Sequence, residues 1–279
     1  MRETIKIGIN GFGRIGRTLF RLLQDHPNIL VVAINDLADA RTLSHLLKYD
    51  SIHGIFNASV STHKNYLIVN DRKIPILNYP NLKDLNWQTN KIDIIIESTG
   101  KFKSKAILRH HLKKNIKKVI LTAPPESDDI QTIVLGVNDH LIDSNEDIIS
   151  NASCTTNNAA PMISVVDRLA QIQQAYITTV HSYTTDQSLH DQAHRDLRRA
   201  RAAGQSIVPT TTGAAKALTK IFPKLADVIG GCGIRVPVPN GSLTDITFNV
   251  TKSVCVSEIN DAFKKASKKR FKGIIEYTE

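Results

Sequence analysis

The strongest constraint on this chain is its first turn. The β-branched run Ile5-Lys6-Ile7-Gly8-Ile9-Asn10 passes directly into Gly11-Phe12-Gly13-Arg14-Ile15-Gly16. An apolar stripe at Ile15, Leu19, Leu22 and Leu23 follows at helical spacing. A strand that enters a helix through Gly-x-Gly-x-x-Gly has the form of a dinucleotide-binding turn. Gly11 permits the tight turn, Gly13 lets the backbone approach a pyrophosphate, and Gly16 lets helix and strand pack closely. The helix N-terminus offers free N–H groups and partial positive charge to the anion. A second apolar run, Ile29 to Asn35, ends beside Asp36, twenty residues after Gly16. A carboxylate there accepts from the adenosine ribose 2′-OH and repels a 2′-phosphate, which favours NAD over NADP. The competing reading is a plain strand–helix turn with a solvated Asp36. The strand-before, helix-after context weighs against it.

The rest of the first 150 residues repeats the alternation. Ile92–Glu97, Lys118–Leu121 and Ile133–Val137 are continuous apolar runs, as expected of strands covered on both faces. The stretch from Asp50 to Trp87 is less regular and reads as inserted hairpins or loops. After Ser150 the pattern predicts a helix over 157–174, a strand over 175–181 and a long polar segment over 182–209. It then predicts a helix over 213–221, a hairpin of 234–238 with 243–250 around Asn240-Gly241, and a helix over 257–269. These elements predict an α/β chain: a Rossmann doubly wound parallel-sheet domain over 1–152, then an α+β domain with an antiparallel sheet over 153–279.

Composition excludes more than it selects. At 279 residues with 41% hydrophobic content, the chain can bury full cores and is no disordered tail. No apolar run approaches the ~18–20 residues of a membrane span. The N-terminus lacks the apolar core of a signal peptide. Three cysteines, none in a Cys-x-x-Cys pair, fit a reducing compartment and exclude a disulfide framework or a cysteine-built zinc site; no metal is expected. The net charge of +10 admits nucleic acid, anionic surfaces or phosphorylated small molecules as partners. No recognised nucleic-acid motif accompanies it, so none is expected to bind.

Asn151-Ala152-Ser153-Cys154-Thr155-Thr156-Asn157 falls between a strand and a helix. A cysteine at a helix start has its thiolate stabilised by the dipole and by free N–H groups, which can also serve an oxyanion. Most single cysteines are small core hydrophobes. That reading suits Cys232 and Cys255, but Cys154 stands among hydroxyls and amides. His181, at the end of the next strand, could pair with it, although spacing alone leaves that open. The other histidines, His111 among them, lie in polar surroundings with no partner evident from sequence.

Several blocks then resemble the glyceraldehyde-3-phosphate dehydrogenase family over nearly the whole chain. They are Asn10–Arg17, Ser150–Asn157, His181–Thr184, Arg198–Ala203, Thr212–Lys216 and Arg235–Pro239, in the family's order and spacing. The resemblance implies a cytoplasmic, homotetrameric enzyme of glycolysis, with 153–279 as its catalytic domain. Cys154 would attack glyceraldehyde 3-phosphate and His181 would serve as base. Inorganic phosphate would then release the thioester as 1,3-bisphosphoglycerate. The resemblance assigns Gly11, Phe12, Gly13, Arg14, Ile15, Gly16, Asp36, Thr99, Gly100 and Thr122 to NAD. It assigns Thr184 and Arg235 to the substrate's phosphate, and Ser153, Thr155, Thr212 and Gly213 to the attacking phosphate, with an arginine of 198–201 nearby. Erythrose-4-phosphate dehydrogenase shares this apparatus and is the alternative. A low-activity dinucleotide-binding remnant is another, because the family's chain continues several dozen residues further. That missing part would include the asparagine that holds the nicotinamide carboxamide. On this reading Gly273–Tyr277 begins a strand that the chain does not complete, the first domain lacks a covering helix, and turnover is weak.

Overall fold

The computed structural model describes residues 4–87, 91–113 and 116–279. The chain divides into two compact units. One runs to Thr132 and resumes over Ile142–Ala152; the other comprises Ile133–Leu141 and Ser153–Glu279.

The first unit contains β1 (Ile5–Asn10), α1 (Arg14–Leu23), β2 (Ile29–Asn35), α2 (Ala40–Lys48), β3 (Tyr49–Asp50) and β4 (Gly54–Ile55). It continues with β5 (Val60–His63), β6 (Tyr66–Val69), β7 (Arg72–Leu77), β8 (Ile94–Glu97), α3 (Lys105–Leu108), β9 (Lys118–Leu121), β10 (Gln131–Thr132) and β11 (Ile148–Ser150). Its main sheet has the order β10-β11-β9-β8-β1-β2-β7-β6-β5. Pairings from β10 to β7 are parallel, while β7-β6-β5 is an antiparallel meander. Thus the middle of the irregular 50–87 stretch, residues 60–77, extends the sheet. Central strands are buried on both faces: Ile95 belongs to the cluster around Trp87 and Leu108, and Ile96 to the cluster around Phe12, Phe20 and Phe56. Strand β1 lies between β2 and β8, so the chain leaves it in one direction and returns on the other side. Such a reversal opens a crevice at the strands' C-terminal ends. The register aligns Asn35, Asn10 and Glu97 along that edge.

The second unit contains α4 (Cys154–Ala170), β12 (Ile172–Ser182), β13 (Val208–Thr210), α5 (Ala214–Ile221), β14 (Ile229–Val236), β15 (Ser242–Val250) and α6 (Val256–Lys268). The sheet order is β13-β14-β12-β15. Along β12, Ala175, Ile177 and Thr179 are buried while Gln174 and Tyr176 are exposed, the alternation of a sheet covered on one face.

Four local expectations change. First, β14 and β15 do not form a hairpin. Strand β12 lies between them, parallel to β14 and antiparallel to β15. Asn240-Gly241, with φ +85° at Gly241, still turns the chain but returns it across β12. Second, Ile133–Val137 is not a strand of the first unit. Gly136 (φ +78°) packs so closely in the second unit that an added Cβ would come within 2.8 Å of Ile274, while Arg270 donates to the Gly136 and Val137 carbonyls at 3.0 and 3.2 Å. The unit boundary is therefore more interleaved than a single cut at 152. Third, Gly273–Tyr277 is not a strand: the chain turns over 271–274, with Ile274 and Ile275 N–H groups bonded to the Phe271 carbonyl, and then runs on without regular structure. Fourth, α4 begins three residues earlier than its apolar periodicity suggests. Its first turn is polar and is held by the Ser153 cap, whose side chain accepts from Thr156 N–H.

Candidate active site

The dinucleotide turn forms as its residues require. Gly11 has φ +90°, and a Cβ on Gly16 would stand 2.2 Å from the Gly11 carbonyl oxygen, so any side chain there would break the strand–helix contact. At Gly13 an added Cβ would meet no atom within 4 Å, so a ligand can approach the backbone at this position. Gly13 caps α1 without a side-chain hydrogen bond, unlike α2, whose first turn is held by Asp39. The start of α1 thus keeps its N–H groups available for an anion. A cavity of about 320 Å³ opens at this turn, lined by Gly11, Gly13, Asp36, Thr99, Lys101 and Phe102 among others.

Asp36 is fixed at the cavity wall by Phe12 N–H at 2.7 Å and Ala38 N–H at 3.0 Å. Phe12 contributes backbone here; its ring is buried edge-on against Phe20, centroids 5.6 Å apart. Arg14, Ile15 and Gly100 are exposed. Thr122 N–H and hydroxyl both bond the Glu97 carbonyl, at 3.0 and 3.1 Å, tying Thr122 to the end of β8. The open glycine backbone, the uncapped helix start and the anchored carboxylate fit a dinucleotide.

In the second unit, Cys154 opens α4 and His181 lies near the end of β12. Cys154 Sγ is 3.2 Å from His181 Nε2. The hydrogen bond to His181 is the main influence holding the thiol below its usual range, with Thr155 N–H and hydroxyl assisting and burial opposing. The same bond is the main influence raising His181, assisted by the Ser182 carbonyl and opposed by burial and by Arg235. Both shifts favour thiolate and imidazolium. His181 Nδ1 is 2.7 Å from the Ser182 carbonyl oxygen, the contact that accepts the second imidazolium proton.

Parallel pairing places Arg235 of β14 directly opposite His181. Its Nη1 lies 2.7 Å from His181 Nδ1 and donates to Ser182 O at 2.9 Å. Thr184 N–H and hydroxyl both bond the side-chain oxygen of the buried Gln187, at 2.9 and 3.2 Å. Ser153 and Thr155 stand at the start of α4, where Ser153 is engaged as the cap. Thr212 accepts from Ala214 N–H at 3.2 Å beside the exposed Gly213.

The structure also separates the four arginines of the long segment. Arg199 has only 14% of its side chain exposed; it donates to Asp186 at 2.6 Å and to Thr211 at 3.1 Å, beside Thr212. Arg198 and Arg201 are 54% and 65% exposed in pairs with Asp196 and Asp191, and Arg195 is exposed as well.

Two sequence readings are overturned. Cys255 is no core residue: it is exposed, at the N-terminus of α6, giving its N–H to Glu258. His111 is fully buried between Trp87 and Glu97. Sequence reasoning also passed over Asn10, Asn35 and Glu97. Their signal was position alone, as polar residues ending apolar central strands.

These features define an oxidoreductase with a Rossmann-type NAD-binding domain and a cysteine–histidine pair on a second domain. Two family models match the chain: "Glyceraldehyde 3-phosphate dehydrogenase, NAD binding domain" over 5–105 and "Glyceraldehyde 3-phosphate dehydrogenase, C-terminal domain" over 153–279. Among relatives, the chain is 49% identical to a glyceraldehyde-3-phosphate dehydrogenase of Geobacillus stearothermophilus over 276 residues, covering 99% of this chain and 82% of that protein. It is 49% identical to one of Streptomyces coelicolor (99% and 83%) and 46% identical to one of Bacillus cereus (98% and 82%). The chain belongs to the glyceraldehyde-3-phosphate dehydrogenase family.

Proposed function

We propose that this chain oxidises and phosphorylates glyceraldehyde 3-phosphate to 1,3-bisphosphoglycerate. The observation that carries the reading is the 3.2 Å contact of Cys154 Sγ with His181 Nε2, with Arg235 at the other ring nitrogen, Nδ1. The thiolate attacks the aldehyde carbon, and His181 gives its proton to the carbonyl oxygen, forming a thiohemiacetal. His181 then takes back the hydroxyl proton as hydride leaves the same carbon, giving a thioester. NAD, bound at the turn Gly11–Gly16 and selected by Asp36, supplies the hydride acceptor. A phosphate oxygen attacks the thioester, the C–S bond breaks, and the thiolate is restored. N–H groups at the start of α4 serve the developing oxyanion.

Thr184 and Arg235 hold the phosphate already on the substrate. Ser153, Thr155, Thr212 and Gly213 hold the attacking phosphate. Arg199, aimed by Asp186, is the member of its cluster that completes this anion site; guanidinium and hydroxyl donors suit phosphate oxygens. Of the cofactor positions, Gly11, Gly13 and Phe12 act through backbone, and Thr99 lines the same cavity, next to the exposed Gly100. A homotetramer acting in the cytoplasm is the assembly the family resemblance implies, and sedimentation of the purified chain tests the tetramer.

The test of the reaction is NADH formation from glyceraldehyde 3-phosphate with and without inorganic phosphate. Phosphate-dependent NADH and an acyl phosphate product are expected. An aldehyde oxidation indifferent to phosphate would overturn the phosphorylating assignment, and preference for erythrose 4-phosphate would overturn the substrate.

A further inference from the structure

We propose that Glu97 is a positioning residue for the dinucleotide pocket, held in place by an arm of Trp87 and His111 that reaches it from the hydrophobic core. The inference rests on the NAD reading of that pocket and adds how its wall is set. Glu97 does not line the cavity; its neighbours Asn10, Ser98 and Thr99 do. Its side chain is fully buried at the end of β8. A buried carboxylate is costly unless its oxygens are saturated with donors. Here Oε1 accepts from Thr99 N–H at 2.9 Å and from the Thr99 hydroxyl. Oε2 accepts from the Asn10 side-chain amide and from His111 Nε2 at 3.0 Å.

The proton on His111 is placed by Trp87. Indole N–H can only donate, and it points at His111 Nδ1 from 3.1 Å. Nδ1 must therefore accept, leaving Nε2–H to donate to Glu97. The orientation continues on the far side. With its amide nitrogen on Glu97, Asn10 turns Oδ1 toward Asn35 Nδ2, at 2.7 Å. Asn35 then accepts from Tyr79 N–H at 2.9 Å and donates to Tyr79 O at 3.0 Å. Donations thus converge on Glu97, from His111 on the core side and from Thr99 and Asn10 on the cavity side, and Asn10 links the carboxylate through Asn35 to Tyr79 on another wall. Ser98 ties the same edge to the glycine turn, its hydroxyl bonding the carbonyls of Asn10 and Gly11 at 3.0 and 2.7 Å.

Glu97→Gln keeps the shape but sets an NH₂ group against donors, so some donor of the wall loses its acceptor. Calorimetric titration of the full chain with NAD tests this. Glu97→Gln is expected to raise the NAD dissociation constant about tenfold, the effect of one orphaned buried donor. Trp87→Phe, which frees the His111 tautomer, should raise it about threefold. The rate of Cys154 alkylation should stay as in the wild type in both. His111→Leu should weaken NAD binding and His111→Gln, which keeps a donor for Glu97, should restore most of it. Leu108→Ala, a truncation in the same core with no polar partner, should lower the melting temperature yet leave NAD binding within about twofold.

Wild-type affinity in Glu97→Gln overturns the proposal, as does equal loss in Leu108→Ala. If Glu97→Gln does not fold, Trp87→Phe decides, and unchanged NAD affinity there overturns it. A wild-type chain that takes up no NAD overturns the pocket reading and this inference with it.

Discussion

The two sites solve opposite electrostatic problems. In the first unit a carboxylate is buried completely and every oxygen is given donors, so Glu97 is fixed. In the second, an exposed thiol stands beside an imidazole, and their contact lowers the thiol and raises the imidazole, toward an ion pair. The helix starts differ in the same sense. Helix α1 begins at an uncapped glycine and leaves its N–H groups for a ligand. Helix α4 is capped by Ser153 and directs its first turn at its own sulfur. A binding wall benefits from saturation because rigidity preserves shape. A reactive pair benefits from partial neutralisation because the reaction must change its protonation.

Breaking the reactive pair should have the largest effect. Cys154→Ser should lower NADH formation by on the order of 10⁴-fold while calorimetry shows NAD binding unchanged. A parallel loss of NAD affinity would show that the two sites are not separable in this way.

Removing only the partner should cost less. His181→Asn should reduce kcat by about 10²-fold or more, the usual range for a general base. It also changes the pH dependence in a definite direction. His181 is the main influence lowering the Cys154 thiol, so the wild-type alkylation rate should fall only as pH drops through a midpoint below that of an ordinary thiol, ~8.5. In the variant that midpoint should rise. An unshifted midpoint in His181→Asn would leave Thr155 and the helix start as the dominant influence.

On the binding side, Asp36→Asn should raise the KM for NAD about tenfold and relax discrimination against NADP, measured as the ratio of kcat/KM values, because it removes the carboxylate proposed to accept from the ribose and repel a 2′-phosphate. Smallest, Arg199→Lys should raise the KM for inorganic phosphate about fivefold with little change in NAD affinity, since a point charge replaces a fork aimed by Asp186. A matching rise in NAD KM would instead place Arg199 in a general structural role.

Local chemistry made much of this legible. The bounds of β1, β2 and β9 follow from their runs of β-branched and other apolar residues, interrupted within them only by Lys6 of β1, because central strands are covered on both faces. The glycine turn could be read because steric rules act within a few residues. Cys154 could be singled out by its hydroxyl and amide neighbours. His111 could not, because a polar sequence neighbourhood says nothing about the indole that arrives from Trp87. Arg199 was indistinguishable from Arg198 until one guanidinium was seen against Asp186 and Thr211. The β14–β15 hairpin failed for a related reason: a turn signal fixes the reversal of the chain, not which strand becomes its neighbour.

The sequence by itself therefore determined most of the elements, the dinucleotide turn, the candidate nucleophile Cys154 and the family. Those depend on backbone sterics, periodicity and short motifs, which act along the chain. Tertiary structure decided the insertion of β12 between β14 and β15, the passage of 133–141 into the second unit, the alignment of Asn35, Asn10 and Glu97, and the partners of His181. Each of these depends on register between distant segments, where hydrogen bonds and charges acquire their strength from burial and from what faces them.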